Sequence, residues 1–281
     1  MSKWNLIVDV AKCSNCNNCT MAMKDEYIGN DFPGYSAPHP KQGPGCLTID
    51  RHVRGNGSMV DVTYVPRTCN HCDDAPCVSA GKGAVIKRAD GIVMIDPVKA
   101  KGRKDLVAAC PYGAISWNEE QQLPQQWIFD AHLLDAGWKQ PRCVQVCTIG
   151  ALTVLKTTDE AMQAMARAEG LQVLKPELRT RPRVYYRGLG VTTGCFIGGN
   201  VAARQRDGTL DNVAGATVEL TLGDGSPPVQ TTTDAWGDFK IDGLPRNGGR
   251  FSIRIQHREL GAADLSGTLE SSRYLGSVEL A

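Results

Sequence analysis

The chain has 281 residues, with 31 basic and 30 acidic side chains and a formal net charge of +1 at pH 7. This length is enough for two domains that each bury a core. The near balance of charge leaves no electrostatic argument for binding nucleic acid or an anionic membrane surface. We therefore expect a two-domain protein whose partner is not nucleic acid.

The N-terminal segment MSKWNLIVDVAKC lacks the apolar core and cleavage site of a secretory signal, and no window approaches the roughly 18 apolar residues of a membrane span. Ten of the eleven cysteines precede residue 150. An odd count without a secretory signal favours metal ligation over disulfides. We expect a cytoplasmic chain that has no membrane span and whose cysteines bind metal.

The first cysteine group is Cys13, Cys16 and Cys19, spaced CxxCxxC after the apolar segment NLIVDVAK. Met23 stands where a bacterial ferredoxin motif has its fourth cysteine. A zinc ribbon would need two separate CxxC pairs instead. Three thiolates on one tight loop can bind three corners of a 4Fe-4S cluster, so the fourth ligand must come from elsewhere in the chain.

The second group is Cys69, Cys72 and Cys77 in RTCNHCDDAPC, and its fourth position is Gly81. His71 lies between two of these cysteines. It could tune a cluster by hydrogen bonding, or it could be a solvated loop histidine. As in the first group, three cysteines remain and the fourth is missing.

A third motif keeps a single cysteine, Cys110, at the end of VKAKGRKDLVAACP. The ferredoxin spacing places Ala100, Arg103 and Leu106 at the other three positions. The preceding segment GIVMIDPVKAK repeats the strand-then-motif order of NLIVDVAK. This internal repeat predicts a duplicated ferredoxin-like domain. The basic run around Arg103 could compensate cluster charge or could be solvated.

The fourth motif ends with Cys143 and Cys147, and Trp127 and Asp130 stand upstream where a CxxC pair would be. Aspartate can ligate iron, so a residual cluster here is one alternative. In the other, Trp127 fills the vacated volume and Asp130 makes a cap or a salt bridge.

Two-cluster ferredoxins exchange their last cysteines, which pairs the first motif with the fourth and the second with the third. Two complete ligand sets result: Cys13, Cys16, Cys19 and Cys147 (the Cys13 set), and Cys69, Cys72, Cys77 and Cys110 (the Cys69 set). The two reciprocal sites are vacated: Gly81, Ala100, Arg103 and Leu106 (the Leu106 site), and Met23, Trp127, Asp130 and Cys143 (the Trp127 site). We predict two 4Fe-4S clusters and free thiols at Cys46, Cys143 and Cys195.

The composition changes near residue 180, which predicts a ferredoxin-like domain over 1–180 and an all-β domain over 181–281. Before the boundary, KTTDEAMQAMARAEGLQVL predicts an amphipathic helix with Thr157 and Glu160 at capping-box spacing and Gly170 as its C-terminal cap. Beyond it, Ala216, Val218, Leu220 and Leu222 alternate with polar residues, as do Phe251, Ile253 and Ile255.

This alternation predicts a small antiparallel β-sandwich or barrel, and the pattern resembles transthyretin-like and carboxypeptidase-regulatory-like domains. Such domains bind and brace partners, and no catalytic constellation is visible in this one. Trp236, beside Gly237 and Phe239, is predicted to be a core anchor and not an exposed recognition residue. The expected fold class is α+β, with a duplicated iron-sulfur domain followed by this β-domain.

Several long segments point to one family: KGRKDLVAACPYGAISWNEE, AHLLD, CNHCDDAPCV, GAVIKRADGIVMIDPVKAKG, LKTTDEAM and KPELRTRPRVYY. With the four motifs in this order, the chain resembles the iron-sulfur subunits of molybdopterin oxidoreductases of the dimethyl sulfoxide reductase superfamily. Within that superfamily it looks most like the small subunits of the pyrogallol-phloroglucinol transhydroxylase and resorcinol hydroxylase group.

The resemblance implies a heterodimer in which a large partner carries molybdenum, a pair of pterin guanine dinucleotides and the phenolic substrate, while this chain has no catalytic residue. The transhydroxylase pattern would put cysteines at positions 23, 127 and 130, so Met23, Trp127 and Asp130 depart from it. The leading hypothesis is electron transfer for hydroxylation of, or hydroxyl transfer among, polyhydroxybenzenes. The alternatives are a structural subunit with redox-idle clusters and a stand-alone ferredoxin.

Overall fold

The computed structural model describes residues 1–43 and 45–281, and the chain divides into two compact units. The first unit comprises Met1–Arg51 and Tyr64–Leu189, and the second comprises His52–Thr63 and Gly190–Ala281. The division thus falls after Leu189, later than the boundary expected at residue 180. The reason is that the strand Val184–Arg187 hydrogen-bonds to the first strand of the chain.

The first unit contains short helices and strands joined by long loops. In chain order these are β1 (Lys3–Asp9), α1 (Asn18–Tyr27), β2 (Leu47–Asn56), β3 (Met59–Thr68), α2 (Pro76–Gly81), β4 (Val85–Lys87), β5 (Val93–Ile95), α3 (Asp105–Ala108), β6 (Ser116–Asn118), β7 (Leu123–Gln125), α4 (Ala131–Asp135), α5 (Arg142–Gln145), β8 (Leu152–Thr157), α6 (Asp159–Ala168) and β9 (Val184–Arg187). A 3₁₀ helix spans Pro176–Leu178, and another, Leu189–Thr192, begins at the last residue of this unit and continues into the second. Among the described residues, no helix has the length and apolar composition to cross a membrane.

The first strand organises one end of this unit. Leu6, Ile7 and Val8 are buried in β1, which lies between antiparallel β8 and parallel β9. Because β1 and β8 run in opposite directions, the end of β1 lies beside the start of β8, with Val8 opposite Leu152. The loop after β1 and the loop before β8 therefore leave the sheet at the same end of the strands.

A second apolar cluster surrounds the short β4–β5 hairpin, in which Val85 pairs with Ile95. Its buried members are Cys72, Ala75, Cys77, Ala84, Val85, Val93, Ile95, Ala100, Leu106, Tyr112 and Ile115. The helix α2 starts with Pro76 in its first turn, a position that tolerates proline because no helical hydrogen bond is lost there. The helix thereby carries Cys77 into this cluster.

The amphipathic helix α6 forms one residue later than its capping signal predicted. Thr158, not Thr157, is the N-cap, and its hydroxyl accepts a hydrogen bond from the Ala161 N–H at 3.3 Å. Met162 is buried, and Gly170 follows the last turn with φ +62°, a conformation that suits glycine. The helix and its glycine C-terminus are as predicted, whereas the capping residue is not.

The second unit contains β10 (Cys195–Arg204), β11 (Leu210–Asn212), β12 (Thr217–Leu222), β13 (Val229–Thr232), β14 (Asp238–Leu244), β15 (Gly249–His257), β16 (Gly261–Leu269) and β17 (Arg273–Leu280), together with the tip of the β2–β3 hairpin. One sheet has the order β11-β10-β14 with β17 also on β10, and the other has the order β13-β12-β15-β16. The alternating apolar residues of β12 and β15 lie in one core with those of β10, β14 and β17. This is a two-sheet β arrangement with the predicted period-2 patterning, but it is not wholly antiparallel as expected, because β17 pairs with β10 in parallel.

The prediction for Trp236 is wrong. Its side chain is 73% exposed, although the neighbouring Phe239 is buried as expected. Asp234 accounts for the difference, because its carboxylate accepts hydrogen bonds from the backbone N–H groups of Trp236 and Asp238, both at 2.9 Å. The resulting turn leaves the indole outside the core.

Candidate iron-sulfur sites

The Cys13 set comes together at the end of the sheet where β1 ends and β8 begins. Cys13 and Cys16 lie in the loop between β1 and α1, Cys19 lies in the first turn of α1, and Cys147 follows α5. All four line a single pocket, whose walls also include Ile49, Pro66 and Ile149. Two segments more than 120 residues apart in sequence therefore contribute thiols to one site.

The loop that carries Cys13, Cys16 and Cys19 turns through left-handed backbone conformations. Asn15 has φ +59° and Asn17 has φ +62°, and asparagine is one of the few residues that adopt this region easily. Burial raises the pKa of the Cys13 and Cys19 thiols, and the neighbouring Cys147 raises both further. A cationic iron centre would compensate this crowding of potential negative charge.

The Cys69 set is more deeply buried. Cys69, Cys72 and Cys77 lie between the end of β3 and the start of α2, and Cys110 follows α3. Burial raises the pKa of Cys77 to about 11, with the nearby Cys110 and Cys72 adding to the shift. Burial also raises the pKa of Cys69 well above its usual range, and Cys77 and Cys110 act in the same direction.

Polar groups point at the sulfurs of this set. The His71 backbone N–H lies 3.5 Å from Cys69 Sγ, and the Ala114 N–H lies 3.4 Å from Cys110 Sγ. The Cys69 thiol itself donates to Gln126 Oε1 at 3.3 Å. Backbone donors of this kind stabilise cluster thiolates and help to set their reduction potential.

Several buried polar atoms in the segment between Cys69 and Cys72 lack a hydrogen-bond partner among the described residues. They are Asn70 Nδ2, Asn70 Oδ1 and His71 Nε2. A buried donor without a partner costs about 1–3 kcal/mol. The sulfurs of a 4Fe-4S cluster accept hydrogen bonds, so donors left open at these places fit such a group.

The described thiols do not form a single-ion site. In the part of the chain that the structure describes, no group of three His, Cys, Asp or Glu side chains is close enough to hold a single metal ion. A 4Fe-4S cluster takes one thiolate on each iron, so its four ligands surround the group without converging on one atom. The two cysteine sets are therefore compatible with clusters of this type.

The Leu106 site is filled by hydrocarbon. Ala100 and Leu106 are fully buried in the apolar cluster around β4 and β5. At Gly81, a Cβ atom would lie 2.7 Å from Val85 Cβ, closer than real contacts allow. Arg103 turns away, since its guanidinium donates to Ala80 O and to the Asp105 carboxylate. A cysteine at position 81 would require Val85 to move.

The Trp127 site is also closed. Its four residues are all buried, and Trp127, Asp130 and Cys143 have no exposed surface. The Asp130 carboxylate accepts hydrogen bonds from the Tyr27 hydroxyl at 2.5 Å, from Trp127 Nε1 at 2.9 Å and from the Arg142 backbone N–H at 2.8 Å. Burial raises the pKa of this carboxyl, and the three donors oppose the shift.

Aromatic rings occupy the remaining volume of the Trp127 site. Trp127 stacks on Phe129 with ring centroids 4.6 Å apart, and His71 packs edge-on against both rings. His71 is only 1% exposed, and its Nδ1 accepts a hydrogen bond from the Val93 N–H at 3.0 Å. The alternative of a solvated loop histidine is therefore wrong.

Sequence reasoning missed three side chains that surround the Cys69 set: Asn70, Lys87 and Gln126. Gln126 and Lys87 approach the set from 57 and at least 15 residues away along the chain. No spacing rule links such positions. Asn70 lies between Cys69 and Cys72, so its position was visible in the sequence. Its burial, which the sequence does not show, is what marks it as part of the site.

Comparisons with known proteins point to iron-sulfur proteins. The family model for a 4Fe-4S dicluster domain matches residues 60–157. The small subunit of pyrogallol hydroxytransferase from Pelobacter acidigallici is 40% identical over the full length of both chains. A tetrathionate reductase subunit from Salmonella typhimurium is 35% identical over 66% of this chain and 73% of its own length.

A third relative, the arsenate respiratory reductase iron-sulfur subunit ArrB of a Shewanella species, is 27% identical over 67% of this chain and 97% of its own length. The first relative covers both units of the chain, whereas the other two cover about two thirds of it. The chain therefore belongs to the iron-sulfur electron-transfer subunits of the dimethyl sulfoxide reductase superfamily of molybdopterin enzymes, in the group of the pyrogallol hydroxytransferase small subunit.

Proposed function

We propose that this chain carries two 4Fe-4S clusters for a large molybdopterin partner that acts on polyhydroxybenzenes, by hydroxyl transfer or by hydroxylation. The observation that carries the proposal is the gathering of eight cysteines into two sets of four, of which Cys19, Cys69, Cys72 and Cys77 are buried. The substrate class rests on the 40% identity to a pyrogallol hydroxytransferase small subunit. We assign the molybdenum, its pair of pterin guanine dinucleotides and the substrate site to the partner, and no catalytic residue to this chain.

In this proposal the residues of the chain hold and shield the clusters. Cys13, Cys16, Cys19 and Cys147 ligate cluster one, and Cys69, Cys72, Cys77 and Cys110 ligate cluster two. When bound, such clusters accept and pass single electrons at potentials set by burial and hydrogen bonds. The apolar residues around the Cys69 set exclude water, and the His71 and Ala114 N–H groups stabilise its thiolates.

The count of two clusters rests on the contents of the other two sites. The donors around Asp130 already satisfy its carboxylate, and Val85 occupies the space of a side chain at position 81. Hydroxyl transfer between two aromatic rings needs no net electrons. A chain with two clusters and no outward electron relay is therefore compatible with this reaction. A hydroxylase that uses water must instead export two electrons.

We further propose that the second unit is a transthyretin-like domain that binds the partner. Its two sheets with a shared core support this assignment; one sheet is antiparallel and the other is mixed, because β17 runs parallel to β10. The compartment we propose is the cytoplasm, where reducing conditions keep the cluster ligands as thiols before iron binds.

The test is the iron and acid-labile sulfide content of the anaerobically co-purified complex, with low-temperature electron paramagnetic resonance (EPR) of the reduced sample. Two clusters require about eight iron atoms per chain, and a third would raise the number to about twelve. Cys16→Ser and Cys110→Ser variants should each alter one of two EPR signals and so assign them. If neither variant changes a signal, the proposed ligand sets are wrong.

The structural alternative predicts a different redox behaviour. Clusters that only brace the loops would remain unreduced by the complex's own substrates, and activity would survive their damage. Reduction of either cluster by the phenolic substrate during turnover would exclude that reading. A chain that elutes alone as a stable monomer with exchangeable electrons would instead favour a stand-alone ferredoxin.

A further inference from the structure

A lysine side chain is inserted behind the loop that joins two ligands of the Cys69 set. Lys87 is the last residue of β4, and its side chain is 21% exposed. Its Nζ lies 2.7 Å from His71 O, 2.9 Å from Cys72 O and 2.9 Å from Gly91 O. It also lies 2.9 Å from the Asp73 carboxylate. Four oxygen acceptors surround one nitrogen, so each of the three N–H donors of the ammonium ion has an acceptor within reach.

The two loop carbonyls belong to a strained turn. His71 has φ +44°, a left-handed conformation that is uncommon outside glycine and asparagine. Such conformations persist only where surrounding contacts hold them. Lys87 supplies two of those contacts, because it binds the carbonyls of His71 and of the next residue, Cys72. The lysine therefore fixes the direction in which the Cys72 side chain leaves the loop.

The charge of Lys87 is only partly compensated. Asp73 is shared with Arg183, whose guanidinium donates to both carboxylate oxygens, and Lys3 lies 3.6 Å away. Arg183 also pairs with Asp159, as does Lys3. The group thus contains three cations and two carboxylates, and it leaves one surplus positive charge next to Cys72.

The Cys13 set has a different arrangement. There the loop between ligands is held by a neutral donor, the Asn17 side-chain amide, which donates to Asn15 O at 2.9 Å. The nearby Lys12 has a side chain that is 56% exposed, so solvent screens its charge. The two sets therefore differ in their immediate electrostatic environment.

We propose that Lys87 is a positioning and redox-tuning residue that holds the Cys69–Cys72 loop and raises the reduction potential of cluster two. The inference rests on the proposed ligand sets. Reduction adds one negative charge to a cluster, and a fixed positive charge in a poorly screened site stabilises the reduced form. Lys87 acts through the loop carbonyls and through space, without touching iron.

The experiment is an EPR-monitored redox titration of the anaerobically purified complex with four variants. Lys87→Met removes the charge and keeps an unbranched side chain, and Lys87→Arg keeps the charge. Lys99→Met is the matched control, because that lysine has a side chain that is 66% exposed in the segment leading to Cys110. Asp73→Asn removes the counter-charge and leaves Lys87 in place.

We expect Lys87→Met to shift the midpoint potential of cluster two downward, Asp73→Asn to shift it upward, and Lys87→Arg and Lys99→Met to leave it near the wild-type value. The potential of cluster one should stay constant in all four. If Lys87 had only a structural role, Lys87→Met would change the iron content, but the midpoint potential of cluster two would not shift downward in Lys87→Met and upward in Asp73→Asn. If Lys87→Met fails to retain cluster two, Asp73→Asn and Lys87→Arg still carry the test.

Unchanged potentials in iron-replete Lys87→Met and Asp73→Asn complexes would overturn the inference and leave the proposed function intact. A Cys110→Ser complex whose EPR signals all match those of the wild type would instead refute the ligand assignment itself. The two failures are therefore distinguishable within one set of samples.

Discussion

The Cys69 set and the Trp127 site both derive from the repeated cysteine motif, and both are buried, but the polar groups inside them differ. Around the Cys69 set, the side-chain amide atoms of Asn70 have no partner among the described residues. In the Trp127 site, the carboxylate of Asp130 is bonded to three donors. One pocket has open polar groups and crowded thiols, and the other is already complete.

Under the proposed ligand sets, this difference separates a site that holds a cluster from a vacated one. Buried polar groups are nearly always paired in folded proteins. Unpaired donors beside several thiols therefore indicate a group that the polypeptide does not provide. In the Trp127 site, side chains fill the volume and satisfy one another: Trp127 stacks on Phe129 and donates a hydrogen bond to Asp130.

The largest expected effect separates the cysteines of these two pockets. Cys77→Ala should lower the iron content by about four atoms per chain, because it removes a proposed ligand of cluster two. Cys143→Ala is the matched control, since this cysteine is also buried but belongs to the Trp127 site. Iron analysis of both complexes checks the prediction, and iron loss in Cys143→Ala would show that the Trp127 site holds a cluster.

A smaller effect is expected at the tryptophan itself. Trp127→Ala should lower the free energy of unfolding by about 3–5 kcal/mol, because it removes a fully buried ring that stacks on Phe129. Chemical denaturation of the variant measures the change. The iron content should remain at the wild-type value, and a stability equal to wild type would mean that the ring does not fill this site.

Asp130→Ala should lower the free energy of unfolding by about 3 kcal/mol, because it leaves the Tyr27 hydroxyl, the Trp127 indole N–H and the Arg142 N–H without an acceptor. Asp130→Asn keeps one acceptor oxygen and should cost less. Denaturation curves for the two variants give the comparison. A decrease of iron in both would instead identify Asp130 as an iron ligand.

Gly81→Ala tests the packing of the Leu106 site. The added methyl group would meet Val85 at 2.7 Å, and such overpacking costs about 1–3 kcal/mol. The double variant Gly81→Ala/Val85→Ala should be less destabilised than the sum of the two single variants, because the second change makes room for the first. Additive losses in the double-mutant cycle would contradict the contact.

The smallest effect is expected at Trp236. Because the indole is 73% exposed, Trp236→Ala should change the free energy of unfolding by less than about 0.5 kcal/mol. Denaturation alongside Trp127→Ala makes the contrast between the two tryptophans direct. A large loss of stability would restore the view of Trp236 as a core anchor.

The sequence alone was sufficient for features that depend on local spacing. The cysteine triplets predict tight loops because the few residues between successive thiols span only a short turn of chain. The alternation in β12 and β15 identifies a half-buried sheet because successive side chains point to opposite faces. The helix before the linker and its final Gly170 follow from equally local rules, although the capping residue is displaced by one position.

Other features were decided only by tertiary structure, because they depend on residues far apart in the chain. Strand β9 pairs with β1 and moves the division of the chain to Leu189, and the tip of the β2–β3 hairpin joins the second unit. Lys87 reaches the carbonyls of His71 and Cys72, and Asp130 gathers donors from Tyr27 and Arg142. Spacing rules describe single loops, whereas these contacts arise only when the sheets bring distant segments together.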